Sequence, residues 1–270
     1  MKRTVVTAIM CAALAVIAAG CKKSEAKGGD TSLADLQKRG VFILGLDDSF
    51  PPLGFRDASN NIVGYDIDLA TEVARRLNVT FKAQPIEWDA KEQELNTGKI
   101  DCIWNGFTIT PDRTAALAFT KPYLDNAQVV VVRSDAGIKT LADMAGRKIG
   151  IQSGSSAQEA VDGNDSFKKA LKEVVMFKDN ITALNDLEIK GVDGVVMDSV
   201  VANYSIQVTG KPFTTLSEGL ANEEYGVAFR KDDITLRDKV QSTLEEMQKD
   251  GTVTAISSKW FGKDISVIGK

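Results

Sequence analysis

The 270-residue chain contains no histidine. Ser-His-Asp and Cys-His nucleophilic mechanisms are excluded by that absence, and a zinc site is not expected. Cysteine is scarce, at three residues: Cys11, Cys21 and Cys102. They are too separate in sequence context to suggest a metal-ligand cluster or a stapled scaffold. A strong excess of one charge is also missing. The formal net charge of -4 gives no reason to expect nucleic acid as a partner. After the first twenty residues no apolar run is long enough to cross a bilayer.

What the N-terminus does contain is a charged start, Lys2-Arg3, followed by an apolar stretch from Val5 to Ala19 that is short for a membrane span. Ala18-Ala19-Gly20-Cys21 closes it with small residues and a cysteine. Residues 1–20 are therefore expected to be a bacterial lipoprotein signal peptide, with the Cys21 thiol accepting the lipid. A plain secreted protein is the alternative. The three cysteines then have three fates: Cys11 leaves with the signal, Cys21 is acylated, and Cys102 stands alone in an apolar run as a small core residue. No intramolecular disulfide is expected in the mature chain, despite its oxidising destination.

Residues 21–32 are polar and rich in Lys and Gly, the composition of a flexible tether. From Leu33 onward, short β-rich runs alternate with amphipathic helical patterns. The runs are Val41–Leu46, Thr80–Ala83, Ile100–Ile103, Val129–Val132, Lys148–Ile151, Val174–Phe177 and Val192–Met197. Helical patterns cover Ile67–Leu77, Ala90–Asn96, Ile181–Lys190, Ser199–Val208 and Leu236–Asp250. This alternation predicts an α/β architecture with mainly parallel sheets. In such sheets ligands bind outside the carboxyl ends of the strands. Those ends carry Asp47 to Phe50, Glu87-Trp88, Asn105 to Thr108, Gln152 to Ser156, and Asp198. Their polar and aromatic groups suit a small zwitterion.

Among them the stretch from Asp101 to Arg113, DCIWNGFTITPDR, is the most informative. A short apolar strand opens into a loop bearing Asn105, Gly106 and Thr108. Thr110-Pro111 then starts a helix as N-cap and first residue. Arg113 falls in the first helical turn, where the macrodipole disfavours a cation. Backbone N–H groups, a hydroxyl and a guanidinium fork together make a carboxylate receptor. The plainer alternative is an ordinary strand–loop–helix link with a solvated Arg.

With its neighbours, this stretch resembles the extracellular solute-binding proteins of bacterial ABC importers, in the family that binds polar amino acids. The similarity runs from about Leu36 to Gly262. It includes Asp47-Asp48-Ser49-Phe50-Pro51-Pro52, Gly64-Tyr65-Asp66-Ile67-Asp68-Leu69-Ala70, Phe119-Thr120-Lys121-Pro122-Tyr123 and Lys259-Trp260-Phe261-Gly262. Leu53 stands where the family usually has an aromatic residue. The resemblance implies a two-lobed periplasmic-binding-protein-like fold of type II, with a two-strand hinge near Tyr123–Gln128 and Ala221–Tyr225. Lobe 1 would comprise residues 33–126 and 220–270, and lobe 2 residues 127–219.

It also implies site roles. Arg113 would grip an α-carboxylate, aided by Thr108, Gly106 and the Ser155-Ser156 backbone beyond Gln152. Asp198 would take the α-ammonium, with Asn105 adding a contact. Phe50 and Trp88 would sandwich the ligand side chain, and Asp47 would meet its polar end. Other readings stay open: Asp198 as a helix cap, residues 153–156 as a plain loop, Phe50 and Trp88 as core aromatics. Trp104 is read as core, and Asp66 and Asp68 as decoration of a helix start.

The resulting expectation is a monomeric, lipid-anchored, non-enzymatic receptor that needs no cofactor. It would deliver an amino acid to ABC permease subunits. Asp47 and Asp48 favour a side chain bearing donors, and Phe50 and Trp88 a flat one. Glutamine or arginine satisfies both, with lysine, histidine and cystine behind. The alternatives are a dehydratase-type enzyme on the same fold and a sensing module of a signalling system.

Overall fold

In the computed structural model the described residues are 29–270. The expected signal peptide, Cys21 and most of the tether lie outside them. Ser32, expected in the tether, instead opens a helix, Ser32–Arg39, whose start is held by Asp30 and Thr235.

Two central sheets organise the chain. The first runs in the order Thr80–Pro85, Val41–Leu46, Cys102–Ile103, Ala228–Arg230, Leu117–Phe119. Its first three strands are parallel and the returning strand Ala228–Arg230 is antiparallel to both neighbours. The second sheet runs Glu173–Phe177, Lys148–Gln152, Gly194–Asp198, Leu124–Arg133, Phe213–Thr215. It too has three parallel strands, then the antiparallel Leu124–Arg133. Ala221–Tyr225 pairs with the same long strand, Glu223 opposite Asn126 and Ala221 opposite Gln128. These are the two strands expected to cross between lobes. Each sheet is thus mixed, because the chain must leave the first, build the second and come back.

Helices cover the sheets for reasons visible in their patterns. Tyr65–Arg76 buries Leu69 with Val73 and Ala70 with Ala74, four residues apart on one face. Ile234–Lys249 buries Leu236, Val240, Leu244 and Met247. Each such Leu or Val, fully buried, contributes about 1.5–3 kcal/mol. Cys102 is buried within the first sheet, as expected of a small core residue. No helix among the described residues is long and apolar enough to cross a membrane.

One feature of the helix start at Tyr65 corrects the sequence reading. Gly64 has φ of +148°, and a Cβ there would lie 2.1 Å from the Leu53 carbonyl oxygen. The glycine lets the helix start dock so closely that Tyr65 and Asp66 donate their backbone N–H groups to Pro52 and Leu53 carbonyls. The Asp66 side chain is then free to turn inward, and it is fully buried. Asp68 does not merely decorate the helix either. It accepts from Lys259 at 2.6 Å and Trp260 Nε1 at 2.8 Å, fastening the C-terminal helix Thr252–Phe261.

Candidate functional site

All eleven candidate residues, together with Phe107, line one cavity between the two sheets. The cavity has a volume of about 290 Å³, part of it open to solvent. Contacts across it, Gln152 to Asp47 at 2.7 Å and Thr108 to Ser156 at 3.0 Å, draw the cleft nearly shut.

Arg113 enters from the helix Pro111–Ala116. Thr110 caps that helix with its side chain, accepting from the Arg113 N–H at 3.3 Å, and Pro111 occupies the first position. The Arg113 side chain is 7 % exposed. Its guanidinium lies 4.5 Å from the centre of the Phe107 ring, donates to the Thr108 carbonyl at 3.0 Å and pairs with Glu159 of the opposite lobe at 3.2 Å. Burial draws its pKa below the usual value, while the acids Glu159 and Glu223 pull it back up.

Asp198 ends the strand Gly194–Asp198. It occupies the N-cap position of Ser199–Thr209, yet its side chain makes no capping bond. Its Oδ1 instead accepts from Asn126 at 2.6 Å, Tyr225 hydroxyl at 2.7 Å and Gln128 at 3.0 Å. Burial, reinforced by nearby Glu223, raises its pKa to about 7.

At the other end Asp47 follows the strand Val41–Leu46. It accepts from Ser49 N–H at 2.9 Å and, across the cleft, from Gln152 Nε2 at 2.7 Å. Its own N–H donates to Asn105 Oδ1 at 3.0 Å. Burial pushes its carboxyl upward in pKa against those two hydrogen bonds. Asn105 Nδ2 is buried with no partner among the described residues, packed close to Gly54. Trp88 is half-buried and packs edge-on against Phe107, with ring centres 5.8 Å apart. Phe50 is buried against the Gly106 loop.

Gly106 adopts φ of +57°, and a Cβ there would sit 2.6 Å from Leu53 Cδ1 and 3.0 Å from Phe50 Cε1. Its N–H donates to Asp66 Oδ2 and to the Tyr123 hydroxyl, at 2.9 and 3.2 Å. That N–H is directed away from the cavity. Gly106 therefore contributes wall rather than a donor, unlike the role the resemblance implied. Ser155, whose implied role is through its backbone, turns its hydroxyl back onto the Gln152 carbonyl at 2.8 Å. Thr108 and Ser156 face each other across the cleft, their hydroxyl oxygens 3.0 Å apart.

A cleft between two α/β lobes, with a cation on one side and an acid on the other, is the arrangement the resemblance implied. The model of the bacterial extracellular solute-binding proteins, family 3, matches residues 42–263. The chain belongs to this family. It is 30% identical to the L-cystine-binding protein TcyJ of Escherichia coli (strain K12) over 256 residues, 94% of each chain. A crystal structure of an ABC uptake transporter substrate binding protein from Streptococcus pneumoniae with bound histidine superposes with a TM-score of 0.86. The two are 37% identical, over 88% of this chain and 99% of that one. A crystal structure of Tv2483 bound to L-arginine gives a TM-score of 0.84 at 34% identity, over 90% and 99%.

Within this family-3 cleft the structure adds residues the sequence reading did not single out. Asn126 and Gln128 project from the long crossing strand, and Glu223 and Tyr225 from its partner. Each pair is two residues apart, so both members share a face. Two amides at alternate positions, running straight into the apolar stretch Val129–Val132, are the signal that could have found them. Asp66 was read as decoration, but it accepts from Tyr123 at 2.9 Å as well as from Gly106, and burial raises its pKa to about 7. It holds the back of the Gly106 loop. Lys91 is also buried, donating to the Gly154 carbonyl of the opposite lobe at 2.9 Å, and burial lowers its pKa to about 8.

Proposed function

We propose that the protein is an extracytoplasmic receptor that captures a polar L-amino acid in this cleft and delivers it to the permease of an ABC importer. One observation carries the reading: Arg113 and Asp198, contributed by different lobes, line the same cavity. A zwitterion leaving water needs both charges paired, since an unpaired buried charge costs several kcal/mol. The guanidinium fork suits the α-carboxylate. Asp198 suits the α-ammonium, its hydrogen bonds falling on Oδ1 and leaving Oδ2 for the ligand. One ligand satisfies both only when the cleft is shut, so binding drives closure. The moving lobes are residues 33–126 with 220–270, and residues 127–219. Lipid on Cys21 holds the receptor at the membrane, and one chain suffices for binding.

Phe50 and Trp88 flank the ligand side chain and Asp47 with Gln152 meets its end, which favours glutamine or arginine. The relatives above, named for cystine or holding histidine or arginine, are consistent with a polar side chain. A thermal-shift screen of the twenty standard L-amino acids and L-cystine tests the proposal, since a specific ligand raises the melting temperature. Glutamine or arginine should give the largest shift. No shift with any amino acid would overturn the receptor reading; a maximum for aspartate or glutamate would overturn the role of Asp47. One observation favours a dehydratase instead: a carboxyl near neutrality at Asp198 beside a second acid, Glu223, is an acid–base pair in form. Mass spectrometry of the recovered ligand separates the two, and unchanged mass is expected.

A further inference from the structure

Glu223 belongs to neither lobe's site loops; it sits on the returning hinge strand Ala221–Tyr225. Its Oε2 accepts four hydrogen bonds. The Asn126 and Gln128 amides of the other hinge strand donate at 2.9 and 3.0 Å. The Thr108 hydroxyl, from the loop after Cys102–Ile103 of the first lobe, donates at 3.0 Å. The Ser156 hydroxyl, from the helix start of the second lobe, donates at 3.3 Å. One carboxylate oxygen thus gathers donors from both lobes and from the hinge.

We infer that Glu223 is an inter-lobe clasp, whose carboxylate holds Thr108 and Ser156 together on the hinge and so stabilises the shut cleft independently of cargo. Opening the lobes would part the two hydroxyls and leave the carboxylate with its hinge amides alone. Hydrogen bonds to a charged acceptor are stronger than neutral ones, and this oxygen is partly shielded from solvent. Three further ties join the lobes, Gln152 to Asp47 at 2.7 Å, Lys91 to the Gly154 carbonyl at 2.9 Å and Arg113 to Glu159 at 3.2 Å, but each links one group to one group and none engages the hinge strands. The ties at the cleft mouth are weaker. The Glu87–Lys178 pair has side chains 69% and 72% exposed, and such pairs contribute little. The Asp89–Ser153 bond is exposed too. A clasp of this kind raises the fraction of molecules already closed, and apparent affinity rises in proportion. Its effect is therefore the same for every amino acid, which separates it from a residue that selects ligands. The effect on affinity rests on the receptor reading above, whereas the effect on lobe closure does not.

Small-angle X-ray scattering without added amino acid, on wild type, Glu223→Ala and Glu223→Gln, tests the clasp. The glutamine variant keeps the side-chain volume while losing the charge. Both variants should show a larger radius of gyration than wild type. The three proteins should converge when saturated with the best amino acid from the thermal screen. Calorimetry should show that each variant binds about tenfold more weakly, by the same factor for each amino acid that binds. Glu87→Gln should change neither quantity. Equal radii for free wild type and variants would overturn the clasp, as would a free wild type already as open as the variants. Tighter binding by the variants would overturn it too, since Glu223 would then be competing with the ligand for the Thr108 and Ser156 hydroxyls. If Glu87→Gln opened the cleft as far, closure would rest on surface ties and the clasp would be refuted. Scattering of the free protein involves no amino acid, so failure of amino-acid binding alone would sink the receptor reading and leave the clasp measurable.

Discussion

Arg113 is held on three sides, by the Phe107 ring, the Thr108 carbonyl and Glu159, before any ligand is considered. A side chain so fixed has little rotamer freedom left to lose on binding. Arg113→Ala or Asp198→Ala should each weaken amino-acid binding by about 2–5 kcal/mol in calorimetry. Wild-type affinity in either variant would remove that residue from the site. The titration of Asp198 adds a pH dependence. With its pKa raised to about 7 by burial, the carboxyl loses its charge as the pH falls, and a neutral acid does not pair with an ammonium. Affinity should therefore drop between about pH 8 and about pH 6, and binding near pH 6 should release protons, read by calorimetry in buffers of different ionisation enthalpy. The same shift acts on stability with the opposite sense. Asp66 and Asp198, both raised from 3.8 to about 7, hold more protons folded than unfolded across that window. The stability they contribute is present below about pH 4 and is lost as the pH rises toward about 7. The ligand-free protein should accordingly melt at a higher temperature at pH 5 than at pH 7; no difference would refute those shifts. At this scale the sequence exposed Asp47 because polar groups at strand ends stand out, and Arg113 because a cation in a first helical turn is out of place. Glu223, Asn126 and Gln128 were hidden, since a strand's alternating polar positions read as a solvated face until a second strand covers them.

The turn between the strand Cys102–Ile103 and the helix Pro111–Ala116 is the element on which the site depends. Its helix end was legible, because Thr and Pro at the first two positions have local reasons to be there. Its inner side was not, because Asp66 reaches it from forty residues away in sequence. Gly106→Ala places a Cβ in a left-handed backbone and against Leu53. It should cost about 1–3 kcal/mol of folding stability in chemical denaturation; an unchanged midpoint would show that the loop relaxes freely. Strand and helix runs of apolar periodicity were placed within a few residues. Two- and three-residue strands such as Ser49–Phe50 and Ala228–Arg230 were missed, being too short to show a period.

The whole molecule is two mixed sheets joined by paired strands, with charge of opposite sign brought to one cavity from either side. Alternation of strands and helices announced the α/β class. The return of the chain to its first sheet was not readable from periodicity, because Ala228–Arg230 pairs with strands more than a hundred residues earlier. The lipid anchor belongs to this scale as well. Cys21→Ala should leave amino-acid binding intact and release the protein from membranes on fractionation; retention in the membrane fraction would refute the anchor. Central to the account is the claim that one ligand bridges Arg113 and Asp198. Calorimetry with the best amino acid from the thermal screen, its descarboxy amine and its N-acetyl derivative tests it most directly. Each altered ligand leaves one buried charge unpaired, so each should bind at least about 30-fold more weakly than the parent. Parent-like affinity for either one would contradict the bridge.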